Sequence, residues 1–354
     1  MRFRGAQNAG ASGRSTIEFP YNAREMNMLQ PKSAFAALTM CVGALCIAAW
    51  SPAAAEDLLV TQYKNDPSGA PYGVAIEKGF FKKAGVDVTG VISGEGGGSS
   101  VRAVIASSLG FGETSPAAAI AAISQGQDLK IVDIGTRSLA DNVIIVMPGS
   151  PIKSVKDLKG KKFAISNPKS LGEMTIVAAA EQVGVNPADI QRVALGNLSG
   201  ALTALENHVV DATTIPGILF MMRGGENKYH VIMGPSELPL LPPAAGIAST
   251  DLIKNHPDKL RAILAARREA VQFIDQHTDD ASKILEKVYA PLPPKDVSTM
   301  MHQLVAAKFY GEGRIEMPLL QTTAHVMRAV GMLDKDVDLS KMIDSSFLPA
   351  DLQK

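Results

Sequence analysis

Short apolar runs typical of strands alternate with helical stretches along residues 58 to about 250 of this 354-residue chain. The first run, LLVTQY (58–63), precedes a stretch with the apolar spacing of a helix. Further along, Val101, Val104 and Ile105 have the i, i+3, i+4 spacing that places them on one helical face. A repeated order of strand and helix predicts a largely parallel sheet with helices on its faces.

A second series of strands and helices begins at DNVIIVMPGS (141–150) and closes at YHVIMG (229–234). From residue 257 onward the pattern predicts helices only, the first of them with one apolar stripe. A helical tail without strands of its own is expected to pack back on the first α/β unit. The chain would then cross between two lobes near 137–143 and 243–250.

These patterns predict a two-lobed α/β protein. The first lobe would comprise residues 56–140 and 247–354, and the second lobe would comprise residues 141–246. A cleft between two lobes is a preferred place for a small ligand, and strand ends and helix N-termini would face it.

The N-terminal segment has the pattern of a secretory signal. The apolar run SAFAALTMCVGALCIAAW (33–50) follows Lys32 and precedes the small residues SPAAA (51–55). This order predicts cleavage after Ala55 and export to the periplasm. The alternative, a membrane anchor, would call for a longer apolar run. Residues 1–55 are therefore assigned to the signal peptide and what precedes it. Residues 1–25 lie upstream of a more natural start at Met26 or Met28, which would make them an extension from a mis-assigned start codon.

Cysteine and charge usage narrow the chemistry of the exported chain. Both cysteines, Cys41 and Cys46, lie in the predicted signal, which leaves no disulfide, thiolate nucleophile or cysteine metal site. The whole chain has 35 basic and 35 acidic residues, of which five and two precede Glu56, so the mature net charge is −3. That balance argues against a nucleic-acid partner. Scattered histidines and the absence of known catalytic motifs predict no metal, no cofactor and no enzyme activity.

The glycine-rich stretch VISGEGGGSSVRAVIASS (91–108) is the first candidate ligand site. It lacks the lysine of a phosphate-binding P-loop, and Ser99 stands where the dinucleotide fingerprint needs its third glycine. Backbone amides and hydroxyls of Gly98, Ser99 and Ser100 at a helix start would suit a small anion or a polar ligand edge. The alternative is a turn whose glycines supply positive φ angles.

The stretch SPIKSVKDLKGKKFAISNPKSLGEMTIVAAAEQVGV (150–185) resembles the solute-binding proteins of ABC importers in the nitrate, sulfonate and taurine group. That group also includes carriers of pyrimidine precursors of thiamine. Three further stretches agree with it in order: PYGVAIEKGFFKKAGVDV (71–88), LGFGETSPAAAIAAISQGQDLKIV (109–132) and VVDATTIPGILF (209–220). The resemblance spans residues 57 to 350, which is nearly all of the mature chain.

The resemblance implies a type II-like periplasmic-binding-protein fold, with a mixed, mostly parallel sheet in each lobe and a ligand cleft between them. It implies a monomer that captures a small sulfonate, carboxylate or similar anion by hinge closure and delivers it to an ABC permease in the inner membrane. One alternative is a protein that binds a formylaminopyrimidine-type thiamine precursor. The other is an enzyme on the same fold, which the lack of a mature cysteine disfavours.

In such proteins the ligand contacts loops that follow the strands. At the matching positions the candidate ligand-binding residues are Tyr63, Asn65, Gly98, Ser99, Ser100, Thr114, Ser115, Arg137, Asn142, Asn167, Lys169, Ser170, Glu173 and Thr214. Arg137 would be a bidentate partner for a carboxylate or sulfonate, or else part of a salt bridge near the hinge. Lys169 would neutralise an anion, whereas Glu173, if it faces the cleft, would favour a ligand with an amino group.

Overall fold

Two separate sheets organise residues 56–353, the part of the chain that the computed structural model describes. The predicted signal peptide and its cleavage site after Ala55 lie outside the described residues. The strands are β1 (Glu56–Thr61), β2 (Val88–Gly94), β3 (Phe111–Thr114), β4 (Leu129–Thr136), β5 (Asn142–Val146), β6 (Lys162–Ile165), β7 (Gln191–Ala194), β8 (Ala212–Pro216), β9 (His230–Met233), β10 (Ala245–Ser249) and β11 (Tyr310–Gly313).

Helices cover the faces of both sheets. They are α1 (Ala70–Glu77), α2 (Phe80–Lys83), α3 (Gly97–Ala106), α4 (Pro116–Ser124), α5 (Leu171–Gln182), α6 (Leu198–Glu206), α7 (Gly217–Met222), α8 (Thr250–Asn255), α9 (Pro257–Gln276), α10 (Thr278–Leu285), α11 (Pro294–Ala306) and α12 (Met317–Ala329). Among the described residues, none of these helices is long and apolar enough to cross a membrane.

The first sheet has the strand order β11-β4-β10-β3-β1-β2. Strand β1 pairs in parallel with β2 and β3, whereas β10 runs antiparallel between β3 and β4. Ala245 at the start of β10 is therefore opposite both Thr114 and Ile134. We call this sheet and its helices the first lobe. Its central strands are apolar and buried on both faces, because helices cover each side.

The second sheet, with its helices, forms the second lobe and has the order β7-β6-β8-β5-β9. Strand β6 pairs in parallel with β7 and β8, and β5 is antiparallel to β8 and β9. Both sheets are mixed, as predicted, and four strands of each share one direction, although antiparallel pairings slightly outnumber parallel ones because β10 and β5 run against their neighbours.

The C-terminal part packs on the first lobe, but the prediction that it lacks strands was wrong. Strand β11 joins the edge of the first sheet, where Tyr310 pairs with Thr136 of β4. Its sequence, YGEG, is too short and too rich in glycine to show a strand pattern. The apolar stripe of α9, from Leu260 to Ile274, is buried as predicted, against a core that includes Tyr72 of α1.

Two crossings connect the sheets. The first runs from Thr136 to Asn142, where β4 ends and β5 begins. The second covers residues 234–244, earlier than the predicted 243–250, because Ala245 already pairs within β10. Pro242 and Pro243 are typical of a loop, so the sequence predicted a later end of this crossing. In the structure, strand pairing starts two residues after them, at Ala245.

Candidate functional site

A cleft of about 590 Å³ lies where the loops after strands of both sheets meet. Thr61 and Thr114, at the ends of β1 and β3, line it from the first lobe. Ser170 and Thr214 line it from the second lobe. The carboxyl ends of strands in an open α/β sheet are the usual place for a ligand, and here two sheets contribute such ends to one cavity.

The glycine-rich loop before α3 forms one wall of the cleft. None of its glycines has a positive φ, so the turn explanation does not hold for this loop. Close approach is the reason instead: a Cβ atom on Gly97 would lie 2.6 Å from the Cβ of Ala118 in α4. No side chain caps α3, and Gly98 lines the cleft at its first turn. The first backbone amides of α3 are thus placed to bind a ligand group.

The two serines after Gly98 have structural partners. Ser99 Oγ donates to the carbonyl of Gly96 at 2.8 Å, and Ser100 is buried, where its Oγ accepts a hydrogen bond from Thr61 Oγ1 at 2.7 Å. Neither serine is among the residues that line the cleft. Of the three predicted positions in this loop, the structure therefore brings only Gly98 to the cavity.

The next helix of the first lobe also starts at the cleft. Ser115 is the N-cap of α4, and its Oγ accepts from the amide of Ala118 at 3.2 Å. Thr114 Oγ1 makes a long hydrogen bond of 3.3 Å to the carbonyl of Gly97. Both residues line the cleft as the sequence predicted. The Ser115 hydroxyl proton stays available to a ligand, because the cap uses only the oxygen.

The second lobe contributes the loop before α5. Ser170 caps that helix by accepting from the amide of Glu173 at 3.3 Å, and Asn167 Nδ2 donates to the carbonyl of Gly196 at 3.0 Å. Lys169 is exposed and has a φ of 65°, which turns the chain into the helix. Asn167, Lys169 and Ser170 line the cleft, as do the predicted residues Asn142 and Thr214.

Four predicted residues besides the two serines do not line the cleft. Tyr63 is buried, which raises its pKa to about 12, and Asn65 is exposed to solvent. Arg137 makes a two-point ion pair with Glu316, at 2.7 Å from Nε and 3.1 Å from Nη2, so the salt-bridge alternative describes its contacts.

Glu173 is the fourth of these residues, and its side chain already has partners inside the second lobe. One carboxylate oxygen accepts from the amide of Lys169 at 2.6 Å, and the other accepts from Arg192 Nε at 2.9 Å. These contacts hold the carboxylate against its own helix start and β7. The structure therefore gives Glu173 a local electrostatic role at the start of α5.

The floor of the cleft, formed by Asp66, Ser68 and Glu113, was missed by the sequence-based predictions. Asp66 caps a single 3₁₀ turn, and its Oδ1 accepts from the amide of Ser68 at 2.8 Å. Glu113 stands inside the buried strand β3 with 1% of its surface exposed. A charged residue in an otherwise uncharged, buried strand, in the sequence FGET, was the available signal for this group.

Arg267 of α9 lies behind the floor and is also 1% exposed. Its Nη1 and Nη2 donate to the carbonyls of Gly311 and Gly135 at 2.8 and 2.6 Å. Its Nε lies 3.5 Å from Glu113 Oε2 and 3.7 Å from Asp133 Oδ2. One guanidinium therefore faces two buried carboxyl groups.

Burial dominates the electrostatics of this region. It raises the pKa of Glu113 to about 8, although Arg267 opposes the shift. Burial likewise raises the pKa of Asp133, Asp66 and Asp141, and the negative charge of Asp66 adds to the effect on Asp141. Carboxyl groups with raised pKa values at a cleft are typical of functional sites.

Comparisons with known proteins give a consistent set of relatives. Residues 66–281 match the model of a protein family described as NMT1/THI5 like. The chain is 26% identical over 289 residues to a "putative aliphatic sulfonates-binding protein" of Bacillus subtilis (strain 168), covering 80% of this chain and 86% of that protein. It is 24% identical over 313 residues to a riboflavin-binding protein of Chloroflexus aurantiacus, covering 84% and 87%. The crystal structure of the periplasmic aliphatic sulphonate binding protein from Escherichia coli aligns with a TM-score of 0.67 at 21% identity, covering 81% of this chain and 97% of that one.

Proposed function

The chain belongs to the NMT1/THI5-like family and has the periplasmic-binding-protein fold, and from this premise we propose that it is the substrate-binding component of an ABC importer. It would capture a small organic solute between its two lobes in the periplasm and deliver it to a permease in the inner membrane. Relatives named for binding aliphatic sulfonates support a solute that carries a sulfonate, a carboxylate or a similar anionic group.

The observation that carries this proposal is the meeting of helix starts from both sheets at one cleft. Residues from the first turns of α3, α4, α5 and α6 all line it. Helix N-termini present unpaired amides and a partial positive charge, which favour an anionic group. Arg102 and Lys169 add two exposed cationic side chains to the lining. A group bound there would contact both lobes at once, as hinge closure around a ligand requires.

We further propose that the protein acts as a monomer and catalyses no reaction on its solute. The relatives with similar sequences are named as binding proteins, which supports a carrier. The thiamine-precursor alternative differs from this proposal in the solute that binds, and the enzyme alternative differs in what happens to the solute after binding. A carrier returns its ligand unchanged, whereas an enzyme on the same fold converts it to a product that mass spectrometry detects.

The proposal is tested by thermal unfolding of the chain from Glu56 onward against a panel of solutes. The panel holds alkanesulfonates, aliphatic carboxylates, nitrate, riboflavin and a formylaminopyrimidine. A ligand at a hundred times its dissociation constant stabilises the folded state by about 2.7 kcal/mol, which raises the midpoint by a few degrees. A shift with one class and unchanged ligand afterwards supports the carrier, whereas no shift with any member or conversion of the ligand contradicts it.

A pair of matched variants then tests whether the cleft is the site. A Cβ on Gly98 would meet only the end of the Arg102 side chain, at 3.7 Å, so Gly98→Leu adds bulk to the cleft without a backbone clash. Ser99→Leu adds similar bulk to the next exposed position, which does not line the cleft. We expect Gly98→Leu to abolish the ligand-dependent shift and Ser99→Leu to retain it. Equal behaviour of the two variants would place the ligand elsewhere.

A further inference from the structure

A left-handed backbone occurs at a small set of residues other than glycine. Within residues 56–353 these are Gln62 with a φ of 54°, Lys169 with 65°, His208 with 57° and Lys308 with 49°. This conformation is unfavourable for a residue with a Cβ atom, and glycine or asparagine usually occupies it. Such residues persist only where surrounding contacts hold them, and they are frequent at ligand sites. Each of them therefore requires an explanation in the structure.

Helix ends explain two of these residues. His208 follows α6, and its amide donates to the carbonyl of Leu205 at 3.0 Å. Lys308 follows α11, and its amide donates to the carbonyl of Val305 at 3.0 Å. A left-handed residue just after a helix is a common way to satisfy the last carbonyl groups of that helix. Both side chains are exposed, and neither lines the cleft.

The other two residues, Gln62 and Lys169, do not follow a helix. Gln62 comes directly after β1, and Lys169 lies in the loop between β6 and α5. Both line the cleft, Gln62 from the first lobe and Lys169 from the second lobe. The strained positions at the cleft therefore lack the structural explanation that accounts for the pair at the helix ends, and they come one from each lobe.

Backbone contacts hold Gln62 in its conformation. Its N–H donates to the carbonyl of Gly94 at 2.7 Å, and its own carbonyl accepts from the amides of Asn65 and Asp66 at 2.7 and 2.9 Å. The side chain contributes little to this arrangement, because Nε2 makes only a long contact of 3.5 Å with the carbonyl of Glu95. A primary amide has two N–H donors and a carbonyl acceptor, so this side chain retains the capacity to bind a group in the cleft.

The backbone also holds Lys169. Its N–H donates to Glu173 Oε2 at 2.6 Å, which fixes the main chain and leaves the side chain uncommitted. The ammonium group is exposed and makes no ion pair within residues 56–353. The first lobe thus presents an amide with an available N–H donor to the cleft, and the second lobe presents a cation. Both groups donate hydrogen bonds to oxygen.

We propose that Gln62 and Lys169 form a two-lobe clamp on the oxygens of the anionic group of the solute, and that the left-handed backbone at both positions aims these side chains into the cleft. The clamp rests on the proposed function, because it describes how the captured anion connects the lobes. Gln62 Nε2 donates one hydrogen bond and Lys169 Nζ another, which suits a group with several oxygens, such as a sulfonate or a carboxylate. Glycine at either position would relieve the strain and lose the contact.

Glycine variants separate binding from folding. In Gln62→Gly and Lys169→Gly the left-handed backbone becomes favourable, so the unfolding midpoint without ligand should not fall. Each variant should bind butanesulfonate and hexanoate roughly ten to a hundred times more weakly than wild type in titration calorimetry, because each loses a hydrogen bond to a charged group. His208→Gly and Lys308→Gly are the matched controls, since they relieve the same strain outside the cleft and should bind both probes like wild type.

An isosteric variant tests the donor role of Gln62. Gln62→Glu keeps the size of the side chain and replaces its N–H donors with a carboxylate. It should bind butanesulfonate and hexanoate more weakly than Gln62→Gly does, because the added negative charge repels both anions. Binding at wild-type strength by Gln62→Glu overturns the assignment of Gln62 as a donor to the anion.

The remaining outcomes separate the clamp from the proposed function. If wild type binds a probe and both cleft glycine variants bind it equally well, the clamp is wrong and the carrier function stands. Unfolding midpoints of both cleft variants well below those of the two controls would give the side chains a structural role, which also overturns the clamp. If wild type binds neither butanesulfonate nor hexanoate, both the clamp and an anion-binding carrier are contradicted.

Discussion

Replacement of Glu113 by glutamine should change how the stability of the protein depends on pH. In the folded chain, burial keeps the Glu113 carboxyl protonated up to a pKa of about 8, whereas its ordinary value is 4.5. Between these values the folded state holds a proton that the unfolded chain has lost. Stability from this group is therefore fully present below about pH 4.5 and decreases as the pH rises towards 8.

The magnitude follows from the width of that window. One unbalanced proton changes the free energy of unfolding by about 1.4 kcal/mol per pH unit. Between about pH 5.5 and 7.5 the wild-type chain should therefore lose roughly 2–3 kcal/mol that Glu113→Gln does not lose. Tyr72, Asp133 and Arg267 face the carboxyl group and are retained in the variant, so their own titration largely cancels in the comparison.

Urea unfolding of both chains at three pH values, followed by circular dichroism, measures this difference. Glu226→Gln is the control, because Glu226 is exposed and lies outside the cleft, and it should follow the wild-type curve. The variant should become more stable relative to wild type at each step of rising pH. Parallel curves for wild type and Glu113→Gln would refute the reasoning, since Glu113 would then be ionised and paired with Arg267.

Three further substitutions test contacts in and around the site. Arg137→Ala breaks an exposed ion pair with Glu316, so we expect the free energy of unfolding in urea to fall by at most about 1 kcal/mol. The ligand-dependent thermal shift should be unchanged, and its loss would make Arg137 a ligand contact. Arg192→Ala leaves the buried Glu173 carboxylate without its cation, so the free energy of unfolding in urea should fall by about 1–3 kcal/mol. An unchanged free energy of unfolding would contradict that pairing. Ser170→Ala removes the α5 cap and should lower the free energy of unfolding by about 1 kcal/mol. Titration calorimetry should also show weaker ligand binding, and an unchanged affinity would contradict a role of Ser170 in the site.

Local patterns in the sequence were sufficient for most of the architecture. Alternation of strand and helix predicted sheets covered by helices, and the spacing within α9 predicted its buried face, because periodicity directly reports which side of an element is apolar. The antiparallel strands of both sheets did not follow from that alternation. The family resemblance predicted the fold and the carrier class. Eight of the fourteen candidate residues line the cleft, since loops after strands gather at one edge of a sheet.

Tertiary structure decided which polar side chains face the cavity and which have partners elsewhere. Ser100, Arg137 and Glu173 have the right residue types at the right loops, but their hydrogen bonds are made to groups distant in sequence. Strand β11 and the acidic floor also depend on such distant contacts. Glu113 and Arg267 are 154 positions apart in the chain and meet only because α9 packs behind β3. Sequence spacing describes local geometry, whereas the sign and burial of charge at a site depend on which elements the fold brings together.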